Sequence, residues 1–510
     1  MDVHSANIWM YVSSFSEEVT GSDILVQVNW SDGRQIKFLI DCGLFQEPRW
    51  EAYNEEKFPF LPENIDFAIA THFHTDHIGR FPYLMNEGFK NNIYTTVESK
   101  IMFPKMLNLN AEILEQKYVH LMGEWRKERN DRKKKSSLGK KDKTRCCKDK
   151  KKTNSLFKSK CIEHDMPKLI FTKNDVAKLQ KQIVDLQLCE PFSPVDGIEI
   201  TFYPNAHMLG AAVTVITAYY NDERLTFLVT GDVAKKNKVT GVETYVPKKV
   251  LDEVKFIISE STYGSSPEVR DVQTDYLRNV KLIEETIEKN NTLVYMVNAI
   301  ERPEVVLNEL QYIIDNEKIG TKLKNIPIYF DSTFGHVGLK EYQKILGDEL
   351  QLPENLVLVD SENRLDVMKH RGAKILLLTS PQFYFGSFTA YAKALLEDKS
   401  VTIVFASYVS ECITNMINLP RGTKIRYKNE DVIKNCSMYK FGHYSSHASI
   451  AELAELLDAC ENKNTILFVH GTNDAKDNMV SRFSEKGITT YSMLKGKTVR
   501  INRFGISKVY

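Results

Sequence analysis

Short runs of apolar residues, each closed by a turn or a polar residue, recur along the chain and predict β-strands. Five of these runs are followed within three residues by a His, an Asp or a Glu. The runs and the residues that follow them are 36–40 with Asp41, 66–70 with His72, 225–229 with Asp232, 255–258 with Glu260 and 465–469 with His470. Strand ends hold functional groups rigidly and leave them accessible, so five together indicate one functional site.

Between about residues 270 and 425 the pattern changes to helices that alternate with strands of a parallel type. We predict helices over 274–289, 303–316 and 389–398, and strands over 291–297, 326–330, 374–378 and 401–405. This alternation is typical of βαβ units and predicts a second domain. After it, we predict a helix over 450–458 before the strand at 465–469.

Composition narrows the class of protein. The chain has 510 residues, which is typical of about two to four domains. It is 42% hydrophobic and 10% aromatic, which excludes a mainly disordered or collagen-like protein. No apolar run approaches the roughly 18 residues of a membrane span, and the first residues lack a signal-peptide pattern. Because the 8 Cys are scattered, we expect reduced thiols in a soluble, cytoplasmic protein with no membrane association.

The net charge of +1 conceals one strongly basic segment. Residues 126–160, here called the basic block, carry 17 Lys and Arg against 4 Asp and Glu, a net charge of +13, while the remaining chain carries −12. We expect this block to be a solvated excursion from the fold. A passive solubilising loop, a contact with a polyanion and a nuclear-localisation-like signal are all compatible with it. Cys146, Cys147, Cys161 and His164 have the residue types of a zinc knuckle, although their spacing is irregular.

The strongest chemical signal is a cluster of metal-binding residue types in six positions. His72, His74, Asp76 and His77 follow a predicted strand, and a turn there would let their side chains converge on one point. One ion with an open position would use three of them, whereas a dinuclear site would use all four and need a bridging carboxylate. Asp232 suits the bridge, and the remaining imidazoles at loop or strand ends are His207 and His470. Each of these three, taken alone, is more typical of a structural residue.

The order of these residues resembles the metallo-β-lactamase superfamily. The residues that carry the likeness are Asp41, the His-x-His-x-Asp-His motif at 72–77, His207 and Asp232, followed by Glu260, His447 and His470, which resemble three further motifs of the β-CASP branch of nucleases. The resemblance implies an α/β fold, namely a four-layer αββα metallo-β-lactamase sandwich with an inserted α/β β-CASP domain. We expect the sandwich to comprise residues 1–265 and 426–510, and the insert to comprise residues 266–425.

The resemblance also implies a role for each residue. Two Zn²⁺ ions would be bound, one by His72, His74 and His207 and the other by Asp76, His77 and His470, with Asp232 bridging them. Asp41 would accept a hydrogen bond from a ligand imidazole and fix its tautomer. A hydroxide between the ions would attack phosphorus, since zinc makes hydroxide available at neutral pH. His447 would protonate the leaving oxygen, held as a cation by Glu260. Asp76 completes the expected catalytic group.

A His at the last motif accompanies RNA substrates in this family, so His470 predicts a zinc-dependent ribonuclease that leaves a 5′-phosphate and a 3′-hydroxyl. We expect the basic block to capture RNA by charge, through Lys133, Lys134, Lys135, Lys150, Lys151 and Lys152. Two alternatives remain open, namely a catalytically inactive RNA-binding scaffold and a metallo-hydrolase of a small ester or thioester. The sequence also leaves open endonucleolytic or exonucleolytic cleavage, and a homodimer or a processing complex.

Overall fold

Three large sheets organise the chain, which a computed structural model describes for residues 6–137, 166–267, 271–383, 386–428 and 430–510. The first sheet has eight strands, numbered here along the chain, in the order β23-β22-β1-β2-β3-β4-β5-β6. Strands β22 (Lys497–Asn502) and β23 (Gly505–Val509) come from the last part of the chain. Its first six strands are β1 (Ile8–Ser14), β2 (Ile24–Trp30), β3 (Gln35–Ile40), β4 (Phe67–Ile69), β5 (Ile93–Thr96) and β6 (Ile183–Leu186). The helices between them are α1 (Thr75–Ile78), α2 (Phe81–Asn86), α3 (Val97–Ser137) and α4 (Lys173–Leu179).

The second sheet has seven strands in the order β21-β20-β11-β10-β9-β8-β7. Strands β20 (Thr465–Phe468) and β21 (Thr489–Ser492) come from the last part of the chain. Its first five strands are β7 (Phe192–Val195), β8 (Ile198–Pro204), β9 (Ala212–Tyr220), β10 (Glu223–Val229) and β11 (Val254–Ser259), with α5 (Lys248–Leu251) before β11. The antiparallel strands β8, β9 and β10 lead into a parallel run of β10, β11 and β20.

The inserted sheet has six strands, all parallel, in the order β14-β13-β15-β12-β16-β19. Its strands are β12 (Thr292–Met296), β13 (Ile328–Asp331), β14 (Leu356–Val359), β15 (Lys374–Leu378), β16 (Val401–Phe405) and β19 (Ser437–Lys440), and a separate hairpin joins β17 (Thr423–Tyr427) to β18 (Glu430–Lys434). Its helices are α6 (Val272–Glu288), α7 (Arg302–Asn316), α8 (Gly320–Leu323), α9 (Thr333–Leu346), α10 (Arg364–Lys369), α11 (Phe388–Glu397) and α12 (Glu411–Ile417). Since β19 pairs with β16, we propose that the insert ends after Lys440, later than the predicted residue 425.

The last segment returns to both sheets of the sandwich. Its elements are α13 (Ile450–Asp458), β20 (Thr465–Phe468), α14 (Asn473–Ser484), β21 (Thr489–Ser492), β22 (Lys497–Asn502) and β23 (Gly505–Val509). Strand β20 pairs with β11 in the second sheet, and β22 pairs with β1 in the first. Short 3-10 turns occupy Glu51–Glu55, Pro62–Asn64, Gln180–Gln182, Gly347–Glu349 and Gly442–Tyr444.

The core of the sandwich consists of three apolar layers, which form because strand side chains point alternately to the two faces of a sheet, and the inserted domain has a core of its own. Between the two large sheets, buried residues from both meet, among them Met10, Phe38 and Phe227. The outer face of the first sheet packs on α2, α3 and α4, and the outer face of the second packs on α13 and α14. Two sheets covered by helices on both outer faces make the four-layer sandwich, so the predicted fold class is confirmed. Burial of this apolar surface is the main stabilising contribution.

Helix α3 is the longest helix of the described residues. It has 41 residues, which corresponds to about 60 Å. It begins among buried residues such as Met102, Phe103 and Leu107 and continues through residues 126–137. The first part of the basic block, with Lys133, Lys134 and Lys135, is therefore helical, which the sequence pattern did not predict. Residues 138–160 of the block, with Lys150, Lys151 and Lys152, lie outside the described residues, as do Cys146, Cys147, Cys161 and His164.

None of the helices in the described ranges combines the length and the apolar character that a bilayer-crossing segment requires.

Candidate metal centre

The carboxyl ends of neighbouring strands place the predicted site residues at one edge of the sandwich. In the second sheet, β10, β11 and β20 are parallel neighbours, so Asp232, Glu260 and His470 leave the sheet at the same edge. In the first sheet, β3 and β4 are parallel neighbours, and they position Asp41 and His72 in the same way. Parallel pairing thus assembles residues that are far apart in the chain.

The motif at 72–77 is folded tightly against the loop that follows β3. His74 is the N-cap residue of the short helix α1, which contains Asp76 and His77. Gly43 lies against this helix, since a Cβ atom at Gly43 would fall 1.6 Å from the carbonyl oxygen of Asp76. Any side chain at position 43 would displace α1, and with it Asp76 and His77.

The first group of candidate ligands comprises His72, His74, His207 and Asp232. Their ligand atoms all lie within 4.8 Å of one another. The distance from His74 Nδ1 is 3.0 Å to His72 Nε2 and 3.2 Å to His207 Nε2. His72 and His207 are buried, and imidazoles aimed at one another in the interior are typical of a metal site.

The second group comprises Asp76, His77, Asp232 and His470, again with ligand atoms within 4.8 Å of one another. His470 Nε2 lies 3.5 Å from Asp76 Oδ2, and His77 Nε2 lies 3.9 Å from the same oxygen. The residue His470 has a positive φ of 39°, which is uncommon for a residue with a side chain and is often found at functional sites.

Asp232 belongs to both groups and offers a different oxygen to each. Its Oδ2 lies 3.8 Å from His72 Nε2 and 3.7 Å from His207 Nε2. Its Oδ1 lies 3.3 Å from His77 Nε2 and 3.4 Å from His470 Nδ1. This is the geometry of a carboxylate that bridges two positions.

The donor atoms fit metal ions better than they fit each other. Zinc bonds of about 2.1 Å at tetrahedral angles separate neighbouring ligand atoms by about 3.4 Å, close to the separations around Asp232. In the second group, His77 Nε2, His470 Nε2 and Asp232 Oδ1 are buried without a hydrogen-bond partner among the described residues. Because buried polar atoms are normally satisfied, these three atoms support a bound cation.

Hydrogen bonds from outside the two groups fix the ring orientations. Asp41 Oδ2 accepts from His77 Nδ1 at 2.7 Å and from Thr71 Oγ1 at 3.0 Å. Thr71 Oγ1 in turn lies 3.1 Å from His72 Nδ1. The carbonyl oxygen of Ser446 accepts from His207 Nδ1 at 2.9 Å. In His72 and His207 the bonded Nδ1 carries the proton, so Nε2 is left with a lone pair for a metal. Burial opposes protonation of His77, but the carboxylates of Asp232 and Asp41 raise its pKa well above the usual value, so a metal bound at its Nε2 would displace a proton.

His447 and Glu260 form a pair beside the two groups. His447 Nδ1 lies 3.0 Å from Glu260 Oε2, and His447 Nε2 lies 3.9 Å from Asp232 Oδ2. Glu260 also accepts from the backbone nitrogen of Val233. The Glu260 carboxylate is buried, whereas the side chain of His447 is 20% exposed, so the imidazole is accessible from solvent.

Burial and neighbouring charges together set the protonation of the residues in the site. Burial, followed by the neighbouring imidazoles, lowers the pKa of His72 and of His207 well below the usual value, so both rings are neutral, as metal ligands must be. Burial alone would raise the pKa of Asp232, but the imidazoles of His470 and His77 outweigh it and lower that pKa. Burial opposes protonation of His447, yet the carboxylates of Glu260 and Asp232 raise its pKa to about 9.

Comparison with known proteins is consistent with this geometry. The family described as "Metallo-beta-lactamase superfamily" matches residues 21–137, which include Asp41 and the motif at 72–77. The family described as "Zn-dependent metallo-hydrolase RNA specificity domain" matches residues 431–493, which include His447 and His470. Both matches confirm the predicted resemblance to the metallo-β-lactamase superfamily.

Several proteins of known name align with nearly the whole chain. Ribonuclease TTHA0252 of Thermus thermophilus is 22% identical over 506 residues, covering 96% of this chain and 97% of that protein. Transcription termination factor FttA of Methanococcus maripaludis is 24% identical over 497 residues, covering 91% of this chain and 66% of that protein. The Integrator complex subunit 11 homolog of Dictyostelium discoideum is 22% identical over 495 residues, covering 91% and 58%. The resemblance to the β-CASP branch is confirmed, and the chain has the catalytic domain of a metal-dependent hydrolase.

The candidate metal centre brings together every metal ligand predicted from the sequence, and Asp41, Glu260 and His447 lie beside it. Their roles stay predictions, as do those of the six lysines of the basic block. Sequence reasoning missed three contributors, namely Thr71, Thr262 and Ser446. Thr262 Oγ1 lies 3.0 Å from His470 Nδ1. All three adjoin the motifs, but a backbone carbonyl such as that of Ser446 leaves no trace in residue type.

Proposed function

We propose that the chain is a zinc-dependent ribonuclease that hydrolyses RNA phosphodiester bonds and leaves a 5′-phosphate and a 3′-hydroxyl. The observation that carries this proposal is the division of Asp232 between the two ligand groups, with one oxygen facing each. Two Zn²⁺ ions would be held by His72, His74 and His207 on one side and by Asp76, His77 and His470 on the other.

Bound zinc supplies positive charge for the phosphate and makes a nucleophile available from water at neutral pH. The chain's own residues supply orientation. Asp41 and Ser446 hold the rings of His77 and His207 with Nε2 facing inward. Because Asp232 belongs to both ligand groups, the two groups lie side by side, and one phosphate could contact both.

His447 is suited to protonate the leaving 3′-oxygen. Each ligand group is complete without it, and its imidazole is the partly exposed one beside the buried carboxylates. The bond from Nδ1 to Glu260 leaves Nε2 directed toward Asp232, where the reacting phosphate would lie. A positioned general acid contributes roughly 10²–10⁴ in rate.

RNA as the substrate is supported by the RNA-specificity region at 431–493 and by the names of the aligned relatives. This region contains β19, which belongs to the inserted sheet, as well as His447 and His470. Substrate contact and catalysis would therefore share one continuous segment. Cytoplasmic localisation and assembly into a dimer or a processing complex stay predictions from the sequence.

The test is hydrolysis of single-stranded RNA labelled at either end, with metal content measured on the same preparation. We expect about two zinc ions per chain and products that carry a 5′-phosphate. A short product from the labelled end would indicate exonucleolytic action, and a ladder of internal fragments would indicate endonucleolytic action. Zinc binding with no cleavage of any RNA would favour the scaffold alternative, and turnover of a small thioester alone would favour the small-substrate hydrolase.

A further inference from the structure

Glu301 has a backbone conformation that a residue with a side chain rarely adopts. It is the residue before α7, with φ of 75° and ψ of −50°. Holding a side-chain-bearing residue in this region costs free energy, whereas glycine adopts it readily. Glu301 is also buried, so a physical reason is needed for a glutamate, in place of a glycine, at this position.

The carboxylate of Glu301 is fully engaged inside the protein. Its Oε1 accepts a hydrogen bond from Ser446 Oγ at 2.9 Å, and its Oε2 lies 3.2 Å from Arg302 Nη2. The bond to Ser446 joins the inserted domain to the segment that carries His447.

Ser446 touches the metal centre in two ways. Its carbonyl oxygen accepts from Nδ1 of the candidate ligand His207 at 2.9 Å. Its neighbour in the chain is His447, which bonds to Glu260. A displacement of Ser446 would therefore turn the ring of His207 and move His447 together.

The segment 442–447, here called the acid loop, is attached to the inserted domain through several side chains, among them Asn279 on α6, which donates to Tyr444 Oη at 2.9 Å, and three carboxylates. Asp275 on α6 accepts from the backbone nitrogen of Gly442 at 2.7 Å. Glu309 on α7 accepts from Tyr444 Oη at 2.7 Å and lies 3.0 Å from His443 Nε2. Glu301 is the third, and its partner Ser446 is the loop residue next to His447.

We propose that Glu301 is a positioning residue whose hydrogen bond to Ser446 orients both His207 and His447, and that its costly backbone conformation is retained for this bond. The part that concerns His447 rests on the proposed function. The part that concerns His207 rests only on the proposed zinc binding, because it can be measured as zinc affinity without RNA.

Two substitutions separate the effect of the hydrogen bond to Ser446 from the effect of the negative charge on Glu301. Glu301→Gly relieves the backbone and removes the acceptor of Ser446. Glu301→Gln keeps an oxygen for Ser446 but, like the glycine variant, breaks the ion pair with Arg302. We expect Glu301→Gly to weaken one zinc site by up to about 10–100-fold in a chelator competition, the usual effect of disturbing the hydrogen-bond partner of a ligand histidine, because Ser446 would no longer be held against His207. Glu301→Gln should stay within about 3-fold of the wild type, because the retained hydrogen bond is the orienting contact.

Turnover gives the second readout. At saturating zinc, we expect Glu301→Gly to lower kcat on RNA about 10-fold or more with little change in KM, since a general acid is worth roughly 10²–10⁴. The loss should be smaller on a phosphodiester with a nitrophenolate leaving group, which needs little protonation. Glu304→Gln is the matched control, because Glu304 is buried on the same helix and has no hydrogen bond to the acid loop among the described residues.

Ser446→Ala keeps the carbonyl and removes only the hydroxyl, so it tests the same bond if the glycine variant fails to fold. It should reproduce the Glu301→Gly effects, and the double variant should be no worse than either single variant. Wild-type zinc affinity and kcat in both single variants would overturn the proposal. Equal impairment of Glu301→Gln and Glu301→Gly would also overturn it, because the lost negative charge, which acts on Arg302 and on His74, would then be the cause. If the wild type cleaves no RNA, the proposed function fails while the zinc comparison still decides the role of Glu301.

Discussion

His447 Nδ1 lies 3.0 Å from Glu260 Oε2, while the Nε2 of the same ring lies 3.9 Å from Asp232 Oδ2. One imidazole thus joins a buried carboxylate outside the two ligand groups to the carboxylate that they share. The ligand atoms of Asp232, Glu260 and His447 also lie within 4.8 Å of one another, so a metal count decides between the proposed acid and a further metal ligand.

We expect His447→Ala to retain both zinc ions and to lose cleavage rate by roughly 10²–10⁴, the usual contribution of a general acid. The physical reason is that each ligand group is complete without His447. Metal analysis and single-turnover cleavage of RNA measure the two effects. Loss of one zinc ion in this variant would make His447 a ligand and contradict the role given to it.

We expect about two zinc ions per chain, with a different pattern of loss in two variants. His470→Ala should release one ion, because His470 faces the second group alone. Asp232→Asn should weaken both, because its two oxygens face different groups. Atomic absorption on dialysed protein reports the stoichiometry. One ion or none in an untreated and fully active protein would rule out the dinuclear site.

Asp41→Asn should lower zinc affinity about 10–100-fold without removing any ligand. The carboxylate accepts from His77 Nδ1 and from Thr71 Oγ1, and an amide has one acceptor oxygen in place of two. Chelator competition gives the affinity. Asp66→Asn is the control, since Asp66 is exposed and bonds to the backbone nitrogen of Lys37. Equal affinities of the two variants would show that Asp41 does not orient the site.

Glu304 should make stability depend on pH away from the active site. Burial raises the pKa of its carboxyl from 4.5 to about 8, so the folded protein keeps this proton after the unfolded chain has released it. The free energy of unfolding should therefore fall as pH rises from about 4.5 to 8, by up to about 1.4 kcal/mol per pH unit. Glu304→Gln should flatten this part of the profile in thermal unfolding. A profile identical to the wild type would show that Glu304 is ionised in the folded protein.

Neutralising part of the basic block should reduce the salt dependence of RNA binding. Each phosphate contacted on a single strand contributes about −0.7 to the slope of log K against log salt. Substitution of Lys150, Lys151 and Lys152 by Ala should flatten the slope by up to about 2, with kcat at saturating RNA unchanged. Affinity at three salt concentrations measures it, and an unchanged slope would identify the block as a passive loop.

The sequence alone predicted the candidate ligand residues, and its resemblance to a family predicted the architecture of the sandwich. Apolar runs ended beside Asp41, His72, Asp232, Glu260 and His470, and the strands form within a residue or two of those runs. This succeeds because strand burial and ligand chemistry are both properties of residue type, which a sequence displays directly. The strands after residue 270 were predicted for the same reason. They are buried on both faces, so each appears in the sequence as a continuous apolar run.

Only the tertiary structure decided which oxygen of Asp232 faces which group, and that the inserted sheet closes with Ser437–Lys440. It alone placed the carbonyl of Ser446 on His207 and the carboxylate of Glu301 on Ser446. These contacts join the backbone or side chains of residues more than a hundred positions apart, and neither a carbonyl nor a positive φ has a signature in composition. Long-range packing sets them, so the orientation of the site is a property of the fold, while its chemistry is a property of the chain.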